Sequence, residues 1–325
     1  MLKRKLITLG LCALALSATL PAAAQLSKPI RMVIPFSPGG GTDIVGRYIA
    51  ERLGVLLDKT VIVENRAGSG GMVGAEAVAN AEPDGQTLLF GTSAELTIAP
   101  GLHPNLRYNP LRSFTPISLV GSTPSILLAK KDFDGKDIRD IIQQAKAEPG
   151  KVMYASGGTG TAPHLSGELL ADMAQVNIVH VPYKGSGPAQ SDLLGGHISL
   201  LFSTVAPSVP LIQQGKVKPI AVTSARRSSI LPNVPTIAEQ GYPGYDVSIW
   251  YALLAPAGIA PELAKTLREA TEKIVQEPAF MERMATLGVE APTAEERGPE
   301  ALQARIRNET EQWMRLIKKA KISAQ

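Results

Sequence analysis

Several residue types that define common protein classes are scarce in this chain. It has one cysteine among 325 residues, Cys12. Cys12 falls in an N-terminal segment with the look of a leader, so the remainder carries no thiol. That excludes disulfides, a thiolate metal site and a cysteine nucleophile from the folded protein. An exported protein can do without disulfides when its core is large enough. Aromatic residues make up 5%, too few to suggest a surface that stacks nucleic-acid bases. The four histidines, His103, His164, His180 and His197, do not pair at the spacing of zinc ligands. No G-x-S-x-G elbow surrounds any serine. Neither G-x-x-x-x-G-K-[ST] nor a G-x-G-x-x-G after a strand is present. Beyond the first twenty residues no apolar run is long enough to span a bilayer. No metal, cofactor or catalytic residue is therefore expected.

The N-terminus has a definite layout. Lys3, Arg4 and Lys5 precede an uncharged apolar run at 6–20, and Pro21-Ala22-Ala23-Ala24 follows. This is the pattern of a secretory signal peptide, with cleavage expected near Ala24. An uncleaved anchor is the alternative, disfavoured because the run is shorter than the roughly 20 residues of a spanning helix. Leu11 before Cys12 does not fit a lipoprotein site. Without Lys3, Arg4 and Lys5 the formal charge falls from +4 to +1, so charge gives no reason to expect a nucleic-acid partner. A hydrophobic content of 44% suffices for buried cores, and the length suits two domains.

Strand and helix signals alternate, as in α/β architecture. Strands are expected at 30–35, 60–64, 87–90, 152–155, 178–181, 198–202, 218–222 and 247–254. The run 116–129 is strand-rich and lacks a clear helix. Helices are expected at 42–57, from the glycines at 68–71 through 78, at 137–146, at 165–174, and in a segment ending at Gly195-Gly196, which suits a left-handed cap. After Pro261 the pattern is wholly helical. A helical tail needs an existing core, and the simplest arrangement returns it to the first domain. That gives a signal peptide at 1–24, a discontinuous domain one at 25–126 plus 250–325, and an inserted domain two at 127–249.

Three loops share one design, strand to small residues to helix start: 36–42, 156–161 and 183–188. A helix start presents unpaired N–H groups and partial positive charge, and glycine lets an anion approach them. In open α/β sheets such loops stand at the carboxyl ends of strands, where ligands bind. A phosphate-rich ligand would recruit more cationic side chains than Lys184. A carboxylate needs only amides and hydroxyls, and Thr42, Thr92, Ser93, Ser156, Thr159 and Thr161 supply the latter. Any one glycine loop is equally well a tight turn; three in one role shift the balance toward a ligand. His164 at a helix start reads first as a local cap. Asp43 is favoured by the helix dipole, with a ligand ammonium or an ordered water as its alternative partner. Trp250 reads as core, or as an aromatic wall of a cleft.

The segments PFSPGGGTD (35–43), VIVENRAGSGGMVGAEAVANAEPDGQTLLFGT (61–92), YASGGTGTAPHLSGELL (from 154), VPYKGSGPAQSDLLGGHI (from 181) and WYALLAPAGI (from 250) together resemble the substrate-binding receptors of the tripartite tricarboxylate transporter (Bug) family over essentially the whole mature chain. The resemblance implies a two-domain α/β periplasmic binding protein, a Venus flytrap of the type II class with its ligand cleft between domains. It implies a periplasmic, non-catalytic receptor for a small organic carboxylate, transient contact with integral membrane transporter subunits, and a monomer. Carried over by position, Phe36, Gly39, Gly40, Thr42 and Asp43 match the family's carboxylate loop, and Thr92 and Ser93 a second cleft segment. Ser156, Thr159, Gly160 and His164 match the domain-two loop. Ser203 stands where many relatives have an acidic or amide residue, which argues against an amino-acid ligand.

Two other readings stay open at this level. A receptor feeding a sensor kinase would have the same sequence features. An exported hydrolase or lyase acting on a small acid would need a nucleophile–base pair, and the spacing reveals none.

Overall fold

The computed structural model describes residues 29–183 and 186–322. The leader pattern and Lys184 lie outside the described residues. Among the described residues no helix is long and apolar enough to cross a membrane.

The chain begins with β1 (Ile30–Ile34), α1 (Gly41–Leu57), β2 (Val61–Asn65), α2 (Met72–Ala79) and β3 (Thr87–Thr92). β1 pairs in parallel with both β2 and β3. All its residues but Arg31 are buried, which is why it reads as a nearly continuous apolar run rather than an alternating one. α1 presents Val45, Ile49 and Leu53 to the sheet at a four-residue spacing. Burying each such side chain fully is worth about 1.5–3 kcal/mol. Gly46 lets the helix come close: a Cβ there would stand 2.6 Å from Ile34 Cδ1 and 2.9 Å from Phe90 Cδ1. The glycines at 68–71 form a tight turn, Ser69–Gly71, before α2 begins at Met72, so this helix starts later than the sequence suggests.

A wide turn at Ala94–Ile98 and the short helix α3 (Ala99–Leu102) lead to β4 (Phe114–Lys130). The strand-rich run is thus one long strand, and it serves two sheets. Its first part, Phe114 to Pro124, pairs antiparallel with β9 (Ser248–Pro256), which also pairs with β3. Its second part, Ser125 to Lys130, pairs antiparallel with β7 (Leu200–Thr204) on one side and β8 (Val217–Val222) on the other. Between them come α4 (Ile138–Ala147), β5 (Met153–Ser156), α5 (Ala162–Ala174), β6 (Val179–Pro182) and α6 (Ser186–Leu194). β5 pairs in parallel with β6 and β7. The chain crosses between sheets at Pro124-Ser125, and again at Val247-Ser248, where the Val247 amide still bonds Thr223 O while Ser248 is opposite Pro124.

Besides the short α3, a longer helix escapes sequence reasoning: α7 (Val205–Gln213) contains Pro207 and Pro210, residues that ordinarily argue against a helix. The helical end of the chain comprises α8 (Pro261–Val275), α9 (Pro278–Thr286) and α10 (Pro299–Ala320). α10 does not stay with the first sheet, as the simplest arrangement supposes. Leu302 and Ile306 join the first sheet's core with Trp250 and Phe114, whereas Trp313, Leu316 and Ile317 belong to the core of the second sheet with Tyr154, Leu165 and Leu169. Lys319 also forms an ion pair with Asp172 of α5.

Candidate functional site

Five strand ends converge on one cleft. The carboxyl ends of β1, β3, β5, β6 and β7 each lead into a turn or a helix start, as ligand sites in open α/β sheets do. The cavity there measures about 580 Å³, within the range of small-molecule sites. Phe36, Thr42, Thr92 and Ser93 line it from the first sheet, and Gly160, Thr161, Pro163, Thr204 and Pro207 from the second. A second cavity of about 490 Å³ shares Phe36, Gly160 and Thr161, and Thr159 opens onto it.

The start of α1 is built to be open. Gly40 occupies the cap position with no side chain to satisfy the first amides, and the next three N–H groups have no acceptor within the helix. Gly41 and Thr42 at this start face the cavity. Gly39 has φ +83°, a left-handed conformation that glycine adopts without strain. Asp43 does not aim at a ligand. Its carboxylate accepts from the Gly39 amide at 2.9 Å, Arg47 Nε at 2.9 Å and Asn65 Nδ2 at 2.8 Å. Burial pushes its pKa up, but Arg47, Gly39 and Asn65 outweigh that and hold it below the ordinary value. Asn65 Nδ2 also donates to Phe36 O. Asp43 and Asn65 therefore shape the loop from behind, and Gly39 and Gly40 support it without lining the cavity.

Thr92 is held from below. Its amide and hydroxyl both donate to the Glu95 carboxylate. Glu95 is fully buried, and burial pushes its pKa up to about 7 against the opposing hydrogen bonds of Thr92.

The second sheet's loop is held by a polar cluster. Thr161 caps α5, its hydroxyl accepting from the His164 amide and donating to Gly158 O at 2.7 Å. His164 Nδ1 accepts the Gly160 N–H at 2.9 Å, so Nε2 carries the proton and faces Glu168 at 3.6 Å. The His164 ring stacks on His180 with centroids 3.8 Å apart. His180 Nε2 lies 2.7 Å from Ser156 Oγ, and Ser156 Oγ also bonds Gly158. Tyr154 donates to Glu168 at 2.7 Å. Burial and the adjacent His164 push the His180 pKa down to about 4, with Glu168 pulling the other way. Ser156 and His164 thus sit behind the loop. Ser203 is also buried, touching Gln190 at 3.3 Å; its neighbour Thr204 lines the cleft instead.

The sequence reading missed two features here. It found no nucleophile–base pair, yet Ser156 and His180 are in contact. They are 24 residues apart and meet through the pairing of β5 with β6. It also missed the cleft floor. Thr123, Ile249 and Tyr251 line the cavity, and period-two alternation along β9 would have found the last two on the face opposite Trp250. Trp250 itself is core: its indole donates to Glu309 at 2.8 Å, and Glu309 accepts from Arg305 at 2.8 Å. Among the described residues no group of three or more His, Cys, Asp and Glu side chains could hold a metal ion.

Comparison with known proteins agrees with this architecture. A family model described as the tripartite tricarboxylate transporter family receptor matches residues 45–322. The structure of the periplasmic binding protein BugD is 39% identical with a TM-score of 0.72, covering 92% of this chain and 99% of its own. MatC from Rhodopseudomonas palustris with bound malate is 32% identical with a TM-score of 0.72, over 90% of this chain and 99% of its own. A second R. palustris protein, with adipate, is 31% identical with a TM-score of 0.74, over 91% and 98%.

Proposed function

Since the chain belongs to the tripartite tricarboxylate transporter receptor family, we propose that this solute-binding receptor captures a small carboxylate in the cleft and delivers it to the membrane subunits of a secondary transporter. The observation that carries the reading is the uncapped start of α1, whose Gly41 and Thr42 face a cavity lined from both sheets. Free amides at a helix start favour an anion without any cationic side chain. Relatives solved with malate and with adipate support the carboxylate class.

In this reading residues 25–126 plus 250–325 form one domain and 127–249 the other, except that the C-terminal half of α10 packs with the second. The crossings at Pro124-Ser125 and Val247-Ser248 act as the hinge. A ligand that touches both domains only when they are shut shifts the balance toward the closed form. Phe36, Thr42, Thr92, Ser93 and Gly160 meet the ligand or its water shell, and Thr159 guards the adjoining mouth. Gly39, Gly40, Asp43, Ser156, His164 and Ser203 hold those residues in place. The receptor works in the periplasm after cleavage near Ala24, as a monomer, and its encounter with membrane subunits is transient.

No turnover is part of this reading. Among the described residues the Ser156–His180 contact is the arrangement that most suggests chemistry, and Ser156 is buried with its hydroxyl already engaged by Gly158. The test is mass spectrometry of protein isolated from a periplasmic extract. A mature mass starting near Gln25 and a small carboxylic acid released intact on denaturation are expected. Release of a converted product, or no acid and no thermal shift with any carboxylate offered, overturns the reading.

A further inference from the structure

The cleft floor holds an unexplained polar group. Thr123 lines the cavity from β4 and is 6% exposed, and its Oγ1 faces the Tyr251 hydroxyl without forming a well-aligned hydrogen bond to any described residue. A buried hydroxyl left unpaired is costly, and native structures seldom keep one without a reason. Its strand neighbour across the ladder is Ile249, and Tyr251 is on the same face two residues along. The Tyr251 ring stacks on Phe90 at 6.0 Å. Its hydroxyl lies 3.8 Å from where a Cβ on Gly41 would stand, beside the open amides of α1. Burial pushes the phenol pKa up, with Thr123 pulling it part of the way back, so it remains a neutral donor.

Apart from the hydroxyls of Thr42, Thr92, Ser93, Thr161 and Thr204, the chamber is lined mainly by apolar side chains. Val45, Ile98, Ile249, Leu287 and Val289 are among them. No Asp, Glu, Lys, Arg or His lines the cavity among the described residues. A ligand ammonium, or a third carboxylate beyond the reach of the helix starts, would be desolvated there without an opposite charge among the described residues, which is unfavourable.

Resting on the carboxylate-receptor reading, we propose that Tyr251 and Thr123 are ligand-binding residues and that the receptor selects an acid with an uncharged hydrocarbon body. One carboxylate sits at the start of α1 and accepts from Tyr251. Thr123 bonds an oxygen of the same ligand, and the hydrocarbon body fills the chamber of Val45, Ile249, Leu287 and Val289. A second carboxylate, where present, meets the helix starts of the other sheet.

Titration calorimetry with the full-length mature protein tests this, using glutarate and benzoate as hydrocarbon-bodied acids against citrate and aspartate. Wild type is expected to bind at least one of the first pair about tenfold or more tighter than either of the second. Tyr251→Phe keeps the stacked ring and loses a donor to a charged group, so affinity falls about tenfold. Thr123→Val keeps the shape and lowers affinity about threefold or more. The hydroxyl it removes has only a poorly aligned contact with Tyr251, so the ligand-free variant melts close to wild type. Wild-type affinity in both folded variants overturns the assignment of Tyr251 and Thr123 and leaves the receptor reading intact. Citrate or aspartate binding as tightly as the hydrocarbon-bodied acids overturns the selectivity alone. Binding of none of the four removes the carboxylate reading and this inference with it.

Discussion

His180 shows how a residue behind the site gives the protein a measurable pH response. Its ring is wedged between His164 and the Ser156 hydroxyl. Its pKa falls from the ordinary 6.5 to about 4, through burial first and then the His164 ring. Between those two values the unfolded chain holds a proton on this residue and the folded chain does not. The contribution to stability is therefore fully present above about pH 6.5 and is lost as pH falls toward 4. Two and a half units correspond to no more than about 3 kcal/mol, less with solvent screening at this partly exposed ring. His180→Phe keeps an aromatic face for His164 but cannot titrate. In urea unfolding at pH 7.5 and 4.5, wild type should lose more stability on acidification than the variant, by roughly 1–3 kcal/mol. Equal losses would mean that His180 does not fold in its neutral form. Ser156 retains Gly158 as a partner in the variant, so the protein should still fold.

Among the elements, the start of α1 supplies the free amides of the cleft. Gly40 has φ −78° and ψ 166°, which any residue can adopt, and a Cβ there would meet only Ser37 O at 3.7 Å. Gly40→Val should therefore fold with a melting temperature close to wild type while its side chain crowds the free amides. Charge-assisted hydrogen bonds are worth about 1.5–3 kcal/mol each, so affinity for the bound acid should fall at least tenfold. Wild-type affinity by calorimetry would reduce the loop to a turn. The neighbouring Gly39, at φ +83°, is the wrong position for this test, because valine there is strained regardless of ligand. This loop was legible in sequence because glycine, proline and the helix period that follows are local signals. So were the alternating strands and helices of both sheets. Local signals could not give contacts made at long range. Thr123 and Tyr251 come from strands more than a hundred residues apart and meet through the β4–β9 ladder. His164 and His180 meet because α5 packs beside β6. Asp43, Ser156 and His164 lie in or beside loops at the cleft, but whether a side chain faces a ligand or its own backbone depends on hydrogen bonds that sequence spacing does not encode. The prolines of α7 hid a helix that tertiary packing sustains.

Across the whole molecule, two strands and one helix join the halves. β4 serves both sheets, and the chain returns at Val247-Ser248. α10 spans them, with Leu302 and Ile306 in one core and Trp313, Leu316 and Ile317 in the other. Glu309 of that helix bonds the Trp250 indole and Arg305, and receives the Thr97 hydroxyl at 3.2 Å. Burial pushes the Glu309 pKa up, with Arg305 opposing, so the helix is anchored at the level of β9 by a paired buried carboxylate. Such an arrangement permits bending of the strands while the C-terminal half of α10 moves with the second sheet. The central claim is that an acid in the cleft touches both halves and draws them together. Small-angle scattering of the mature protein, free and saturated with the acid that calorimetry identifies, tests it most directly. A smaller radius of gyration with ligand is the predicted result, and an unchanged radius at saturation would contradict capture by closure.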